Sequence, residues 1–354
     1  MLRINSDTKI YILSPYIKTG GPRTLHQLAK YLKKLGLKVY IIYYIHYRES
    51  KKPIIYSDCN VDVIDEIEDN FKNILIVPEA HTGQLRKYKK IQKVIWWLSL
   101  DYYLIDSLIK KSTLYTIKRK NLPLFFVPVV FGLKFLIRLF FKPNALNMEE
   151  FGDIYHLYNC EYVRHFLLNH GIKETDMEYL CGPIEDSYFQ VDKMTLLANK
   201  SKLVAFNPAK IDPILLNTLK KELLKKDSTI EMIELKNMTK DEVFNVLSRT
   251  KVYVDLGFFP GPERIPREAV SLYCNIITST EGSAANKIDV MIPEKYKFDI
   301  NKLKIESLID LIIDMINNFE IYTKDFDDYR LKAKNQKQIF DDNIRKIFLK
   351  DSDM

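Results

Sequence analysis

Short apolar runs alternate along the first half of the chain with polar stretches of helical length. Such alternation is typical of a parallel sheet covered by helices. Residues 23–35 form an amphipathic helix by this pattern, and Gly36 is its natural stop. The predicted strands are residues 9–13, 39–45, 61–67, 74–77, 94–98, 153–158 and 179–181.

The same alternation begins again near residue 202 and predicts a second domain of the same kind. Its strands are residues 203–206, 230–233, 252–256 and 276–277. The sequence therefore predicts an α/β protein with two Rossmann-like doubly wound domains, residues 1–185 and 186–354. Helical spacing in residues 304–319 and 329–349 predicts C-terminal helices, which either brace the two domains or lie on the solvated surface.

The amino-acid composition narrows the classes of function that this chain can have. The 354 residues include 54 basic and 46 acidic side chains, giving a formal net charge of +8. This excess suits a phosphate-bearing substrate or an anionic membrane, while dispersed basic residues without a stacking motif disfavour nucleic acid. Four cysteines without metal spacing predict free thiols, and the amino terminus shows no signal-peptide pattern, so a cytoplasmic location is expected.

The most informative segment follows the strand at residues 252–256. Gly261 lies between two prolines, and Arg264, Arg267 and Glu268 come next at the start of a predicted helix. Guanidinium groups and helix N-terminal N–H groups bind diphosphates, and a carboxylate is a common partner for ribose hydroxyls. The segment therefore predicts a nucleoside-diphosphate site, with a surface ion-pair cluster as the alternative.

Residues 268–278 resemble the carboxyl-terminal donor half of GT-B-fold glycosyltransferases, in which a Glu-Ala helix precedes a short strand and a glycine turn. Here the turn is residues 281–286, and the resemblance implies donor contacts from Gly282, Ser283 and Asn286. Glu268 matches the second glutamate of the family's E-x7-E motif. Pro260 stands where the first glutamate is expected, so either Glu263 takes that role or the sugar is held differently.

Two further stretches carry the resemblance into both halves of the chain. Residues 14–21, with Gly20 and Gly21, resemble the family's amino-terminal glycine loop, although such a pair is also common in plain turns. Residues 206–210 resemble a loop whose lysine meets a phosphate, which makes Lys210 either a donor contact or a solvated side chain. The resemblance implies a deep cleft between an N-terminal acceptor domain and a C-terminal nucleotide-sugar domain, with no cofactor.

Two strand ends of the first half carry candidate acid–base groups. His81 follows residues 74–77, and Asp101 follows residues 94–98. A base is required only if the reaction inverts the anomeric centre. His81 has the more suitable intrinsic pKa, but it could also line the cleft or cap a helix, and Asp101 could cap the next helix. No Asp-x-Asp pair follows a strand, so a metal-independent reaction is predicted.

An apolar and basic insertion at about residues 118–145 predicts membrane contact. Pro123, Pro128 and Gly132 break the segment, and Lys134 and Arg138 interrupt its apolar run, which disfavours a membrane span. A helix from residue 131 onward would present a basic stripe and aromatic anchors to an anionic surface. The alternative is a helix that packs on its own domain. The predicted contacts are Phe131, Lys134, Phe135, Arg138 and Lys142.

Together these features predict a bacterial glycosyltransferase that moves a sugar from a nucleotide-sugar to a capsule, a lipopolysaccharide or a lipid-linked glycan. The enzyme would work at the inner face of the plasma membrane. Two alternatives stay open at this stage: a nucleotide-sugar epimerase of the same fold, which would convert the donor without an acceptor, and a non-catalytic nucleotide- or glycan-binding protein.

Overall fold

The computed structural model describes residues 2–17, 19–44, 56, 59–120, 122–140, 144–208 and 211–349. The chain divides into two compact units: unit 1 is Met1–Asn159, Val163–Gly182 and Phe340–Met354, and unit 2 is Cys160–Tyr162 and Pro183–Ile339. The division near residue 182 lies close to the predicted boundary after residue 185. In contrast to the predicted ranges, the end of the chain returns to unit 1.

Unit 1 is built on a seven-stranded, wholly parallel sheet. Its strands are β1 Lys9–Pro15, β2 Lys38–Tyr44, β3 Asp62–Val63, β4 Ile74–Pro78, β5 Gln92–Trp97, β6 Tyr155–Tyr158 and β7 Met177–Tyr179. They lie in the order β3-β2-β1-β4-β5-β6-β7. The order reverses direction at β1 and β4, so this part of the sheet is the topological switch point at which such folds bind ligands.

The helices of unit 1 follow the strands. They are α1 Gly20–Lys34, α2 Leu100–Ser107, α3 Ile109–Arg119, α4 Val127–Phe140 and α5 Glu161–Asn169, of which α5 begins in unit 2. The residues that α1 buries recur at helical spacing, because one face packs on the sheet. Every residue of β4 is buried, as expected for a central parallel strand.

Unit 2 contains a five-stranded, wholly parallel sheet. Its strands are β8 Ser201–Phe206, β9 Glu231–Glu234, β10 Thr250–Asp255, β11 Asn275–Ser279 and β12 Lys297–Phe298, in the order β12-β11-β10-β8-β9. The helices are α6 Lys193–Ala198, α7 Pro213–Lys226, α8 Lys240–Arg249, α9 Arg264–Ser271, α10 Ile305–Asn317, α11 Phe319–Tyr322 and α12 Asp327–Phe348. The predicted α/β class with two Rossmann-like domains is confirmed.

Helix α12 contributes to the cores of both units. Tyr329 and Ala333 belong to the core of unit 2, whereas Phe340 and Ile344 belong to the core of unit 1. The Phe340 ring lies edge-on to Tyr31 of α1, with ring centroids 5.3 Å apart. The alternative of a solvated surface helix is therefore wrong for this segment, because its apolar side chains are buried.

Two local predictions differ from the structure. The strand predicted for residues 61–67 shrinks to the two residues of β3, since residues 65–66 and 68 are exposed and polar.

Pro128 and Gly132 do not break the insertion, because α4 runs through both. Pro128 lies in the first turn of α4, where its missing N–H has no helical partner to lose.

Replacing Phe340 with alanine is expected to destabilise the protein by about 3–5 kcal/mol, because a large aromatic side chain leaves a cavity in the core of unit 1. Denaturant unfolding measures the change. The matched control is Ile339→Ala at the exposed neighbouring position, with an expected loss below about 1 kcal/mol. Equal losses in the two variants would contradict the buried position of Phe340.

Candidate functional site

The loops that follow β10 and β11 are joined through their backbones. The N–H of Phe259 donates to the carbonyl of Glu281 at 3.3 Å, and the N–H of Ser283 donates to the carbonyl of Phe259 at 2.8 Å. Gly282 sits between these bonds with a φ of 64°, and a Cβ at this position would come within 2.1 Å of the Phe259 oxygen. Glycine is therefore needed where the two loops meet.

Two buried hydroxyl groups strengthen the same junction. The Oγ of Ser279 donates to the carbonyl of Gly257 at 2.5 Å, and the Oγ of Ser283 donates to the carbonyl of Gly261 at 2.8 Å. The predicted donor residues Gly261, Gly282 and Ser283 thus lie together. In this structure Ser283 fixes the shape of the Gly-Pro loop, and the loop in turn sets where α9 begins.

Helix α9 starts at Arg264, and the first two turns bring the predicted ionic groups together. The Nη2 and Nε atoms of Arg264 lie 3.2 and 3.3 Å from Oε1 of Glu268. The Glu268 side chain is largely buried, and Arg264 is partly exposed. The pair lies in the first two turns of α9, near the positive end of the helix dipole.

Arg267 faces the loop that leads into α9. Its Nε donates to the carbonyl of Glu263 at 3.1 Å, and its Nη2 donates to the carbonyl of Pro262 at 3.0 Å. The side chain is buried. These contacts give Arg267 a positioning role, since it holds the two residues that precede the Arg264–Glu268 pair.

Two residues at this site carried no assignment in the sequence analysis. Tyr188 is buried beside Glu268, and burial together with the Glu268 charge raises the pKa of the tyrosine. Asp255 ends β10 and accepts hydrogen bonds from the Tyr253 hydroxyl at 2.9 Å and from the Gly257 N–H at 3.3 Å. The position of Asp255 at a strand end was a usable signal, whereas nothing local marked Tyr188.

Asn286 and Lys210 are the other predicted donor residues. The Oδ1 of Asn286 accepts from the N–H groups of Ile288 and Asp289 at 2.9 and 2.6 Å, and its Nδ2 donates to the Asp289 carboxylate at 2.5 Å. Asn286 therefore stabilises its own turn. Lys210 lies outside the described residues.

In unit 1, α1 begins at Gly20, so both glycines of the predicted loop form the first residues of this helix. The hydroxyl of Tyr56 lies 3.0 Å from the carbonyl of Ile17 and 3.2 Å from that of Thr19, so it anchors the loop. The Tyr56 ring also stacks on His26 with centroids 4.1 Å apart. Gly20 and Gly21 thus lie at the carboxyl end of β1, at the switch point of the sheet.

His81 lies three residues beyond the end of β4. Its ring is edge-on to Tyr44, with ring centroids 3.9 Å apart. Burial lowers the pKa of His81, and the Asp106 carboxylate partly offsets this shift. Among the described residues, Nδ1 of His81 has no hydrogen-bond partner. The imidazole is therefore neutral near pH 7 and able to accept a proton.

Glu79 is a second titratable group at this strand end. It is fully buried, and burial raises the pKa of its carboxyl to about 7. Its Oε2 accepts from the N–H of Leu98 at 2.8 Å, so it links the ends of the adjacent strands β4 and β5. Asp101 instead lies 3.3 Å from Lys111, in the first turn of α2, and its carboxylate does not cap that helix.

Comparison with known proteins identifies the fold. No family model matches the sequence, and no curated protein matches it in sequence. Among the solved structures that match, three that each cover 96% of this chain illustrate the likeness. Sucrose-phosphate synthase from Thermosynechococcus elongatus is 11% identical over 95% of its length, with a TM-score of 0.57. HepE from Anabaena, solved in complex with UDP, is 10% identical over 99%, with a TM-score of 0.54.

The third is WaaG, a glycosyltransferase involved in lipopolysaccharide biosynthesis, which is 10% identical over 98% of its length with a TM-score of 0.54. The chain has the GT-B fold. This finding confirms the family resemblance at the level of the fold. The GT-B fold places the loops after β10 and β11 at the carboxyl edge of a parallel sheet, where ligands of such folds bind.

Replacing Glu79 with glutamine tests the buried carboxyl of this GT-B protein. Because the pKa of Glu79 is raised in the folded state, its contribution to stability is present below pH 4.5 and is lost as the pH rises toward 7. Glutamine cannot ionise. The stability of the variant relative to wild type should therefore rise by up to about 3 kcal/mol between pH 4.5 and pH 8.

Denaturant unfolding at several pH values checks this expectation. Exposed Glu66→Gln in the same unit serves as the matched control. A stability difference between Glu79→Gln and wild type that stays constant across this pH range would contradict the raised pKa.

Proposed function

We propose that this protein is a glycosyltransferase that uses a nucleotide-sugar donor. The observation that carries the proposal is the Arg264–Glu268 pair at the start of α9, directly after the joined loops of β10 and β11. A nucleotide-sugar combines a ribose and a diphosphate, which call for a carboxylate and for cationic or N–H donors side by side. The GT-B fold supports the same conclusion, and HepE was solved with UDP.

In the proposed reaction, Glu268 binds ribose hydroxyls while Arg264 and the N–H groups of the first turn of α9 face the diphosphate. As the bond between the sugar and the nucleotide breaks, negative charge grows on the leaving phosphate. Fixed cationic groups stabilise this charge more in the transition state than in the bound donor. Arg267 acts by holding residues 262–263, so that Arg264 keeps its place.

We further propose that a metal ion is dispensable, because the Arg264 guanidinium and the N–H groups at the start of α9 supply the positive charge that a divalent cation would otherwise supply. Among the described residues, no three His, Cys, Asp or Glu side chains are grouped so that they could hold a metal ion. If the enzyme inverts the anomeric centre, neutral His81 is the candidate base that accepts the proton of the acceptor hydroxyl. Gly20 and Gly21 would then approach the acceptor through their backbone.

The proposed acceptor is a cell-surface polysaccharide or a lipid-linked glycan, and the proposed location is the cytoplasmic face of the plasma membrane. WaaG, which shares the fold, takes part in lipopolysaccharide biosynthesis. The positive net charge and the apolar insertion of unit 1 also favour a membrane-proximal acceptor.

Substitutions at the pair test the donor site. Glu268→Gln and Arg264→Ala should each weaken binding of a nucleoside diphosphate roughly 10- to 150-fold, because each removes a charge-assisted contact worth about 1.5–3 kcal/mol. Isothermal titration calorimetry with UDP, GDP and ADP measures the affinities. Arg249→Ala, which removes the Arg249–Glu231 pair elsewhere in unit 2, is the matched control. Unchanged affinity in both site variants would overturn the assignment.

Turnover assays test the reaction itself. With the nucleotide-sugar that binds, the enzyme should release the nucleoside diphosphate when a glycan acceptor is present, and EDTA should leave the rate unchanged. Conversion of the donor to an epimer without an acceptor would instead establish an epimerase. Binding without turnover of any nucleotide-sugar would establish a non-catalytic protein.

A further inference from the structure

Unit 1 carries a helical hairpin with an unusually apolar surface. The apolar hairpin consists of α3, a 3₁₀ turn at Leu124–Phe126 and α4. Leu124 and Phe125 at the turn are 75% and 73% exposed, and Leu136 on α4 is 56% exposed. Other large apolar side chains that the hairpin exposes are Leu114, Tyr115, Val129, Phe131, Leu133, Phe135 and Ile137. A contiguous apolar patch of this kind marks an interaction surface.

Residues 144–146, shortly after the hairpin, are held to the body of unit 1. The N–H of Ala145 donates to the Asp106 carboxylate at 2.5 Å, and the N–H of Leu146 donates to Thr82 Oγ1 at 2.8 Å. The N–H of Gly83 donates to the carbonyl of Asn144 at 2.6 Å. A Cβ on Gly83 would lie 2.2 Å from that oxygen, so Asn144 packs directly against the backbone of Gly83.

The predicted basic stripe on α4 needs correction where the structure describes it. The Nζ of Lys134 donates to Ser112 Oγ at 2.7 Å, so this lysine ties α4 to α3. The side chain of Arg138 and the whole of Lys142 lie outside the described residues. Phe131 and Phe135 are exposed, as a contact surface requires. The surface offered by the described part of α4 is therefore mainly apolar.

The net charge of the segment that contains the apolar hairpin indicates which kind of partner binds there. Residues 107–147 contain eight of the 54 basic residues and none of the 46 acidic ones, so they account for the entire net charge of +8. Two copies of the hairpin would bring two such positively charged segments together, which disfavours self-association. An apolar surface on a segment whose charged residues are all basic is instead complementary to a bilayer with anionic headgroups.

The dimensions limit how deep the hairpin can reach. Helix α4 has 14 residues, which corresponds to about 21 Å, while the hydrocarbon core of a bilayer is about 30 Å thick. Among the described residues, no helix combines the length and the apolar character needed to cross a membrane. The hairpin therefore fits one leaflet.

We propose that the apolar hairpin inserts the Leu124–Phe126 turn and the exposed side chains of α4 into one leaflet of an anionic bilayer. The apolar side chains enter the boundary between headgroups and acyl chains, and the positive net charge of residues 107–147 favours anionic headgroups. The inference rests on the proposed function, which places the enzyme at a membrane. It adds which surface of unit 1 binds the bilayer and which side chains make the contact.

Vesicle flotation with the full-length protein tests the proposal. Wild type should float with vesicles of phosphatidylcholine and phosphatidylglycerol, and at least tenfold less with phosphatidylcholine alone. The triple variant Leu124→Ser, Phe125→Ser and Val129→Ser should lose at least tenfold in the partition coefficient. The matched control, Ile214→Ser with Ile321→Ser, changes exposed apolar side chains of unit 2 and should float like wild type.

Three results would overturn the proposal: wild type that stays with the soluble fraction, a triple variant that floats like wild type, or a control that loses binding equally. Sedimentation that shows a wild-type dimer, a monomeric triple variant and no vesicle binding would assign the surface to a second copy of the chain. Nucleotide affinity, measured on the same variants, should be unchanged. Failure in flotation therefore stays distinguishable from failure of the donor site.

Discussion

The close approach of two backbone loops in unit 2 is the constraint on which the candidate site depends. Phe259 can form hydrogen bonds with Glu281 and Ser283, the two neighbours of Gly282, only because position 282 has no Cβ. The junction fixes the Gly-Pro loop, the loop fixes the first residue of α9, and α9 brings Arg264 against Glu268. A side chain at position 282 would therefore disturb an ion pair more than a dozen residues away.

The corresponding edge of unit 1 is also held together by a contact between the ends of two strands. A buried carboxylate, Glu79, holds the end of β4 to the end of β5 by accepting a backbone hydrogen bond. Burial raises the pKa of this carboxyl to about 7, because the surroundings disfavour its charged form. His81 lies two residues further and is neutral for the same reason. The end of β4 thus combines a backbone tie to β5 with two titratable side chains whose charged forms are disfavoured by burial.

The sequence predicted those features whose signal is local. Apolar runs located the strands of both sheets except the two-residue β12, and motifs along the chain marked Arg264, Glu268 and Gly282 as candidates. Tertiary contacts decided the rest. Nothing near Tyr188 marked it as a neighbour of Glu268, and helical periodicity could not show that Lys134 would bond to Ser112. Arg267 matched a phosphate ligand by type, but its contacts are with the carbonyls of its own loop.

A crystal structure of the protein soaked with a nucleoside diphosphate tests the central claim most directly. The account predicts electron density for the diphosphate beside Arg264 and the first turn of α9, with ribose hydroxyls within 3.2 Å of the Glu268 carboxylate, a normal hydrogen-bond distance. Density for the nucleotide at a place remote from residues 260–286 would contradict it.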